Sequence, residues 1–512
     1  MLKRYILMLT VVFSSTLFVF GSATAREWTI VGPRALGMGG ANVAVANDAS
    51  AGYWNPGAFG FFKHKDGGEY GRRKWSAGVD VGFGAQVHEE LGEILNNITQ
   101  IDFETVNTET ILADNVLNFL NLVNYLKEFD DNPDRALSVA MNGGLRVQAS
   151  HYGIAGYVFS DISAKGDLDL LNIGPGATGD EFSISDFTNP ANYGCSTPTC
   201  LSGTLPTTPE TLTMDQQDEL NDYLTTNLTW TSTQSANFIN AIDNGLTQSK
   251  NKGQEIPVDI VDKIENLAGI GDAAAGSGGP MENNESVLLF KGIAIAEIPV
   301  TYGYSITEDL ALGTTIKYMK ARVYHQDVKV FDTEFSDALS DATEDYKESQ
   351  NFGIDLGLLY RFGDDLRVGL VGHNLNSPAF DMKSLSGENT DKIKEKAQLR
   401  GGIAYKPLSF VTLAMDYDLT KNDTTIPSGN YKSQNLGGGI EINLLKLLQL
   451  RAGAYQNLAE SDIGMVYTAG LGLNLWLVNI DLGASLSSDS TSIDDKDIPK
   501  EVRAELALSA LF

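Results

Sequence analysis

Three observations predict an all-β chain folded as a transmembrane antiparallel β-barrel of about 14 strands, with an N-terminal luminal hatch and helical loop insertions. Segments of roughly ten residues alternate apolar with small or polar side chains, the period-2 signature of a strand whose two faces meet different surroundings. The connections between these segments are short and long in turn. An export leader opens the chain, and no later apolar run is long enough for a spanning helix, which needs roughly 20 residues.

The leader comes first in the chain. Lys3 and Arg4 precede an apolar run from Tyr5 to Phe20, and Ala23-Thr24-Ala25 offers the small residues of a cleavage site. Residues 1–25 are therefore expected to be a removed signal peptide. Their loss takes away two positive charges, moving the formal net charge from -29 to -31 (-29 - 2). So acidic a chain is a poor partner for nucleic acid, whose phosphates need clustered Lys and Arg. Export to an oxidising compartment also suits Cys195 and Cys200, the two cysteines, which stand in NYGCSTPTCLSG and are expected to close a small disulfide loop. The alternative, half of a zinc site, lacks a second Cys or His pair nearby.

Residues 26–74 read as the hatch and its lead-in, and 75–512 as the barrel, with helical insertions at 88–136 and 163–285. Strands are expected at 75–86, 142–150, 152–162, 286–305, 309–324, 350–362, 366–376, 396–405, 409–419, 433–442 and 448–456, followed by three in the last 50 or so residues. In the first of those three, Ile463, Met465, Tyr467, Ala469, Leu471 and Leu473 alternate with Gly464, Val466, Thr468, Gly470, Gly472 and Asn474. Val478 to Leu486 and Val502 to Phe512 repeat the scheme. Between Val287 and Ile306 the alternation changes phase near Glu297 and Pro299, which predicts a bulge or bend.

Short connections fall at 307–309, 363–365, 406–408, 444–447 and 475–476, and long ones at 87–141, 163–285, 325–349, 377–395, 420–432, 457–462 and 488–499. Transmembrane barrels sort periplasmic turns from outer loops in this way, whereas a soluble β-sandwich has no reason to. Two long insertions carry helical spacing: Ile111, Leu112, Val116, Leu120, Val123 and Leu126 in one, and Ile256, Val258, Val261, Ile264 and Leu267 in the other. These helices either pack on each other or on the rim, or present a face to a protein partner or to lipid. Residues 273–285 read as a flexible return linker.

A spanning sheet must close on itself, with its apolar face turned to lipid. The inner face then carries Asp80, Arg146, Gln148, Asp355, Arg361, Arg367, His373, Arg400, Asp416, Asp418, Glu441, Arg451, Asp481, Arg503 and Glu505. Both signs are present, which argues against a strongly ion-selective open pore. Glycines 78, 82, 84, 353, 357, 369, 437, 439, 453, 470 and 472 share that face. They either permit sheet curvature or leave room for a segment of the same chain.

That segment is GPRALGMGGANVAVANDASAGYWNPGAFGFF, residues 32–62, which precedes the first strand and is compact enough to fill a glycine-lined lumen. Through Ala35 to Ala41, Val45 to Ser50 and Trp54-Asn55-Pro56-Gly57, the chain resembles the FadL/TodX family of outer-membrane transporters for hydrophobic compounds, with related PorV-like and TraF-labelled barrels. The resemblance implies a hatch motif at Asn55, Pro56 and Gly57, the last departing from the family's alanine. It also implies a fourteen-stranded barrel in the cell outer membrane, in contact with its lipid, and passive transport of a hydrophobic small-molecule ligand through hatch movement and lateral gaps in the wall. Phe512 looks like the terminal aromatic read by barrel-assembly machinery. The long 163–285 region favours the TraF-like branch, whose members serve as docking or assembly parts of a conjugation or secretion apparatus, with acidic helical loops as the contact surface.

No enzyme, metal or cofactor is expected. Gly37 to Asn42 lacks the third glycine of a dinucleotide fingerprint, Gly276 to Gly279 has no Lys-Ser/Thr after it, and His88-Glu89-Glu90 lacks the second histidine of a zinc protease. The acidic groups around Asp130 and Asp489 lack the ligand spacing of a calcium loop. No G-x-S-x-G occurs, although separated Ser and His residues are free to converge in space.

Overall fold

The computed structural model describes residues 26–62, 75–99, 116–172, 183–278 apart from 196 and 199, 283–329, 345–385, 392–493 and 496–511. The leader, Ile111, Leu112 and Phe512 lie outside the described residues. One closed antiparallel barrel of fourteen strands follows chain order. These are β1 (Trp75–Val87), β2 (Leu137–Ala149), β3 (Tyr152–Asp167), β4 (Val287–Ser305), β5 (Leu310–Lys329), β6 (Lys347–Phe362), β7 (Leu366–His373), β8 (Gln398–Leu408), β9 (Val411–Asp418), β10 (Asn435–Leu444), β11 (Leu448–Asn457), β12 (Met465–Leu475), β13 (Val478–Ser487) and β14 (Glu501–Leu511). The first strand meets the last from Ser76↔Leu511 to Gln86↔Glu501, so the barrel has no open edge.

The faces sort by environment. On β5, Leu312 and Ile316 are exposed to the outside while Ala311, Thr315 and Lys317 are buried inside. Further toward the loop end the chemistry inverts. The outward Lys320 and Arg322 pair with Glu348 at 2.7 and 3.1 Å, and the inward Met319, Ala321 and Val323 are fully buried. Long strands thus leave the lipid band and continue into water, where the apolar face must turn inward. A two-stranded hairpin, Ala379–Asp381 with Lys392–Lys394, covers that inner face with Phe380, Met382 and Ile393.

This inversion explains why the sequence suggests a phase change in β4. Ile293 and Ile295 point inward into the same cluster, in phase with Glu297 below them. There is no bulge at Glu297 or Pro299, since β4 pairs with β5 in one register from Val287↔Lys329 to Ser305↔Ala311. Against β3 the register is also constant, but pairing stops between Ile154↔Val300 and Tyr157↔Glu297. Gly303 donates its N–H to His151 O at 3.0 Å on that side. The equivalent donor four residues earlier is Pro299, which has no N–H to give. The register shift lies instead in β8, between Tyr405 and Leu408, and moves the expected 406–408 turn to 409–410. Strand β2 starts at Leu137 rather than 142 and β3 runs to Asp167, so the first two long connections are shorter than expected.

Those two connections build one helical lobe at the loop end. Helix α1 (Leu91–Thr99) and α2 (Val116–Asp131) come from the first, and α3 (Met214–Thr226), α4 (Ser232–Asn251) and α5 (Ile260–Ala274) from the second. Leu120 and Val123 of α2 share a buried core with Leu220, Phe238, Ile242 and Ile264. Cys195 and Cys200 form a disulfide within that core. The last helix begins at Ile260, not at Ile256, and Val258 is fully exposed. It continues to Ala274, so residues 273 and 274 are helical and not linker. Helices α3 and α4 have weakly apolar sequences and were not expected. Each starts with a capping box, Thr213 with Gln216 and Thr231 with Gln234.

Since Phe238 packs against Phe187, Tyr193 and Trp230 and has no exposure, Phe238→Ala should destabilise the lobe by about 3–5 kcal/mol. Limited proteolysis should then cut within 183–278 while the barrel still migrates faster on SDS gels before boiling than after. Loss of that gel shift in the variant would mean that lobe and barrel fold as one unit.

Candidate functional site

The lumen is filled by residues 26–62. Their apolar side chains, among them Trp28, Leu36, Trp54, Phe59 and Phe61, are almost wholly buried and join Tyr157, Phe159 and Leu359 of the wall in a single core. The segment reverses tightly at Gly39 and Gly40, both at positive φ, where a side chain is strained.

The wall receives this segment at its glycines. A Cβ on Gly357 would lie 2.3 Å from Asn55 Oδ1, one on Gly313 2.1 Å from Pro56 O, and one on Gly437 1.9 Å from Gly39 O. Gly369, Gly439, Gly453 and Gly470 meet hatch atoms in the same way. Gly78, Gly82, Gly84, Gly353 and Gly472 face wall side chains instead. The inner glycines therefore divide into those that admit the hatch backbone and those that admit neighbouring charges.

Asn55 bridges hatch and wall. Its Nδ2 donates to Val43 O at 3.2 Å and to Leu358 O at 3.0 Å, and its Oδ1 accepts from Gly57 N at 3.0 Å, capping the 3-10 turn Pro56–Phe61. A Cβ at Gly57 would meet Asn55 Oδ1, Gly357 O and Leu359 N, each at 3.0 Å. Glycine at position 57 lets the turn lie this close to β6.

The inner charges pair between nearby strands of the wall, and at Glu441 also with the hatch. Asp80 pairs with Arg146. Arg400 pairs with Asp418 at 2.5 Å and lies 4.6 Å over the Trp28 ring. Asp416 accepts from Asn42 N and Val43 N at 2.7 and 2.9 Å. Glu441 accepts from Arg34 of the hatch at 2.8 and 2.9 Å and from Arg451 at 2.8 Å, and Arg451 continues to Asp481 at 2.7 Å. Arg361 stacks 4.2 Å over Phe61 and donates to Glu308 O. Arg367 is buried on the inner face of β7.

A central anchor was not foreseen. Arg26 reaches Glu297 at 2.9 Å and Glu395 at 3.2 Å, and Lys317 reaches Glu297 at 3.4 Å and Asp355 at 3.2 Å. Gln398 donates to Arg26 O at 2.8 Å, while His373 sits 2.7 Å from Tyr53 O and stacks on Trp28 at 4.0 Å. Lys317 and Glu297 stand at inward strand positions, so the alternation could have found them. Glu395 lies in a long loop and gives no such signal. Buried charges of this kind are costly to strand, since removing one partner typically costs 3–5 kcal/mol.

Between hatch and loops, a chamber of about 40 Å³ remains. Ala140, Ile426 and Val466 supply apolar wall, and Asp161, Glu501 and Arg503 polar wall. Among the described residues, no group of His, Cys, Asp and Glu is arranged to hold a metal ion.

Residues 53–418, more than half of the chain, match the family described as F plasmid transfer operon, TraF, protein. The chain belongs to this family. This TraF-family member also resembles solved barrels at low identity. The Ralstonia pickettii toluene transporter TbuX is 12% identical, with a TM-score of 0.42 over 96% of this chain and 100% of that chain. The P. putida toluene transporter TodX is 11% identical, at 0.40 over 96% and 98%. A Pseudomonas aeruginosa FadL homologue is 10% identical, at 0.41 over 96% and 99%. No curated protein matches the chain.

Gly357→Val places methyl groups where Asn55 and Pro56 lie, and should unseat the hatch without breaking the barrel. Liposomes carrying the variant should leak a small polar solute several-fold faster than wild type, with the heat-dependent gel shift retained. Equal leakage by both would show that the 55–57 contact does not seal the lumen.

Proposed function

We propose that this TraF-family barrel sits in the outer membrane and lets a small hydrophobic molecule cross passively, with the hatch, including Asn55, Pro56 and Gly57, as its gate. The observation that carries the reading is the unpaired stretch of wall between β3 and β4. Beside it, Tyr157 and Phe159 are buried in the aromatic hatch core, while Ile298 and Val300 are half exposed on the lipid face. An apolar solute at this point crosses two missing backbone pairings and enters hydrocarbon without passing a headgroup layer. The paired inner charges present no ring of one sign, which disfavours selective ion flow.

A second reading is favoured by the helical lobe. Its separate core and its acidic helices, such as MDQQDELNDYLTT in α3, fit a docking component of a conjugation or secretion apparatus. Capture of an apparatus protein that depends on 163–285, with uptake indifferent to that deletion, would support it.

For the transport reading, uptake of a fluorescent hydrophobic probe into liposomes is compared with leakage of a polar one. Deleting 32–62 should raise polar leakage. Pro299→Val, which restores the missing N–H toward Ala155, should cut hydrophobic uptake several-fold and leave polar leakage unchanged. Unaltered hydrophobic uptake in Pro299→Val would remove the lateral route.

A further inference from the structure

His88 did not qualify as a zinc ligand in the sequence, yet the fold gives it two other partners. It follows β1 directly and is 1% exposed. Its Nε2 lies 3.1 Å from Ser138 Oγ, at the start of β2, and its Nδ1 lies 3.4 Å from Asp462 Oδ2, in the β11–β12 loop. Asp462 is held from two further sides. Tyr431 donates its hydroxyl to Oδ1 at 2.5 Å, and Glu89 N donates to Oδ2 at 3.3 Å. Burial alone would raise the Asp462 carboxyl, but its hydrogen bonds with His88, Tyr431 and Glu89 N outweigh that and hold it below its ordinary value. The Tyr431 ring stands edge-on to the imidazole, with centroids 4.6 Å apart at 70°, and fixes its plane.

The geometry points to a Ser138–His88–Asp462 hydrolytic triad opening on the chamber above the hatch, with short-chain neutral carboxylic esters as its substrate class. Nucleophile and base, from separated parts of the chain, stand within hydrogen-bond reach, and the carboxylate lies 3.4 Å from the base, a spacing that tightens by a few tenths of an ångström to complete the arrangement acyl transfer uses. Ser138 and His88 both line the chamber. Its volume of about 40 Å³ holds only a few water-sized groups, which suits an acetyl group and excludes a long acyl chain. Asp161 and Glu501 in the same wall disfavour an anionic substrate.

In the reaction, Nδ1–H of His88 faces Asp462 and Nε2 accepts the Ser138 hydroxyl proton as Oγ attacks the carbonyl carbon. The C–O bond to the alcohol breaks, and the alcohol leaves with the proton from Nε2. Water then attacks the acetyl-serine, one proton passing through His88 back to Ser138 Oγ as acetic acid departs. Ser163, fully buried behind the chamber wall, has its Oγ 2.7 Å from that of Ser138 and 2.8 Å from Thr425 Oγ1, and so holds the Ser138 side chain in place. Asp462 acts through His88 and is a positioning residue.

The test uses the full-length chain, folded in detergent and verified by its heat-dependent gel shift, with a fluorophosphonate probe and p-nitrophenyl acetate. Wild type should take up one probe at Ser138 and hydrolyse the acetate at least tenfold faster than the octanoate. Folded Ser138→Ala and His88→Gln should lose both labelling and hydrolysis. Asp462→Asn should hydrolyse at least tenfold more slowly at neutral pH, with a shifted pH profile that a purely structural role would not produce. A folded wild-type chain that neither labels nor hydrolyses, or labelling that persists in Ser138→Ala, would overturn the triad and leave the three residues as a clasp between loops. Neither outcome bears on hydrophobic uptake, which is read separately.

Discussion

Everything in this structure depends on the absence of hydrogen-bonding solvent inside a bilayer. A backbone that crosses hydrocarbon must pair all its polar groups, so the sheet closes between β1 and β14, and closure creates a lumen that is itself polar. Fourteen strands leave a space too wide for wall side chains alone to fill. The chain fills it with its own N-terminal segment, and the small residues on both sides follow from that choice. Hatch and wall approach backbone to backbone at Gly313, Gly357 and Gly437, where no Cβ fits.

The charges follow from the same constraint. Once the hatch excludes water, each inward carboxylate and guanidinium needs a partner, and the partners lie on nearby strands or on the hatch itself. Arg26 and Arg34 of the hatch meet Glu297, Glu395 and Glu441 of the wall and loops. Such pairs position the hatch more than they stabilise it, because desolvation offsets most of their attraction. A plug held by paired charges and van der Waals contact is movable in a way that one sharing a continuous ladder with the wall would not be. The break opposite Pro299 is the one place on the β3–β4 seam where the wall itself gives up backbone pairing.

Much of this was legible in the sequence, because lipid outside and charge inside imposes period 2 strongly enough to read residue by residue. Asp80, Arg146, Asp355, Arg400, Asp416, Glu441 and Arg451 all stand at inward positions for that reason. The reading failed where its premise failed. In β4 and β5 the strands outrun the membrane, the inner face becomes apolar beneath Phe380, and an unbroken alternation looks like a change of phase. Helices α3 and α4 were missed because their polar sequences hide the helical period, although Thr-x-x-Gln at each start was a usable signal. The meeting of His88, Ser138 and Asp462 joins positions up to 374 residues apart (462 - 88), and no local pattern encodes it.

The claim that joins fold to function is that the hatch must move for a solute to pass. A tether tests it most directly. A Cβ at Gly402 would lie 2.8 Å from that of Val43 and 2.3 Å from Asp416 Oδ1, so cysteines at both positions bridge hatch to wall once the Asp416 carboxyl shifts aside, and the single Gly402→Cys variant controls for that shift. Hydrophobic uptake into liposomes is measured with this bridge oxidised and then reduced, with wild type as the control for the native Cys195–Cys200 bond. Uptake blocked on oxidation and restored on reduction is the result this account requires. Full uptake with the bridge closed would contradict it, and would place the route somewhere other than the hatch.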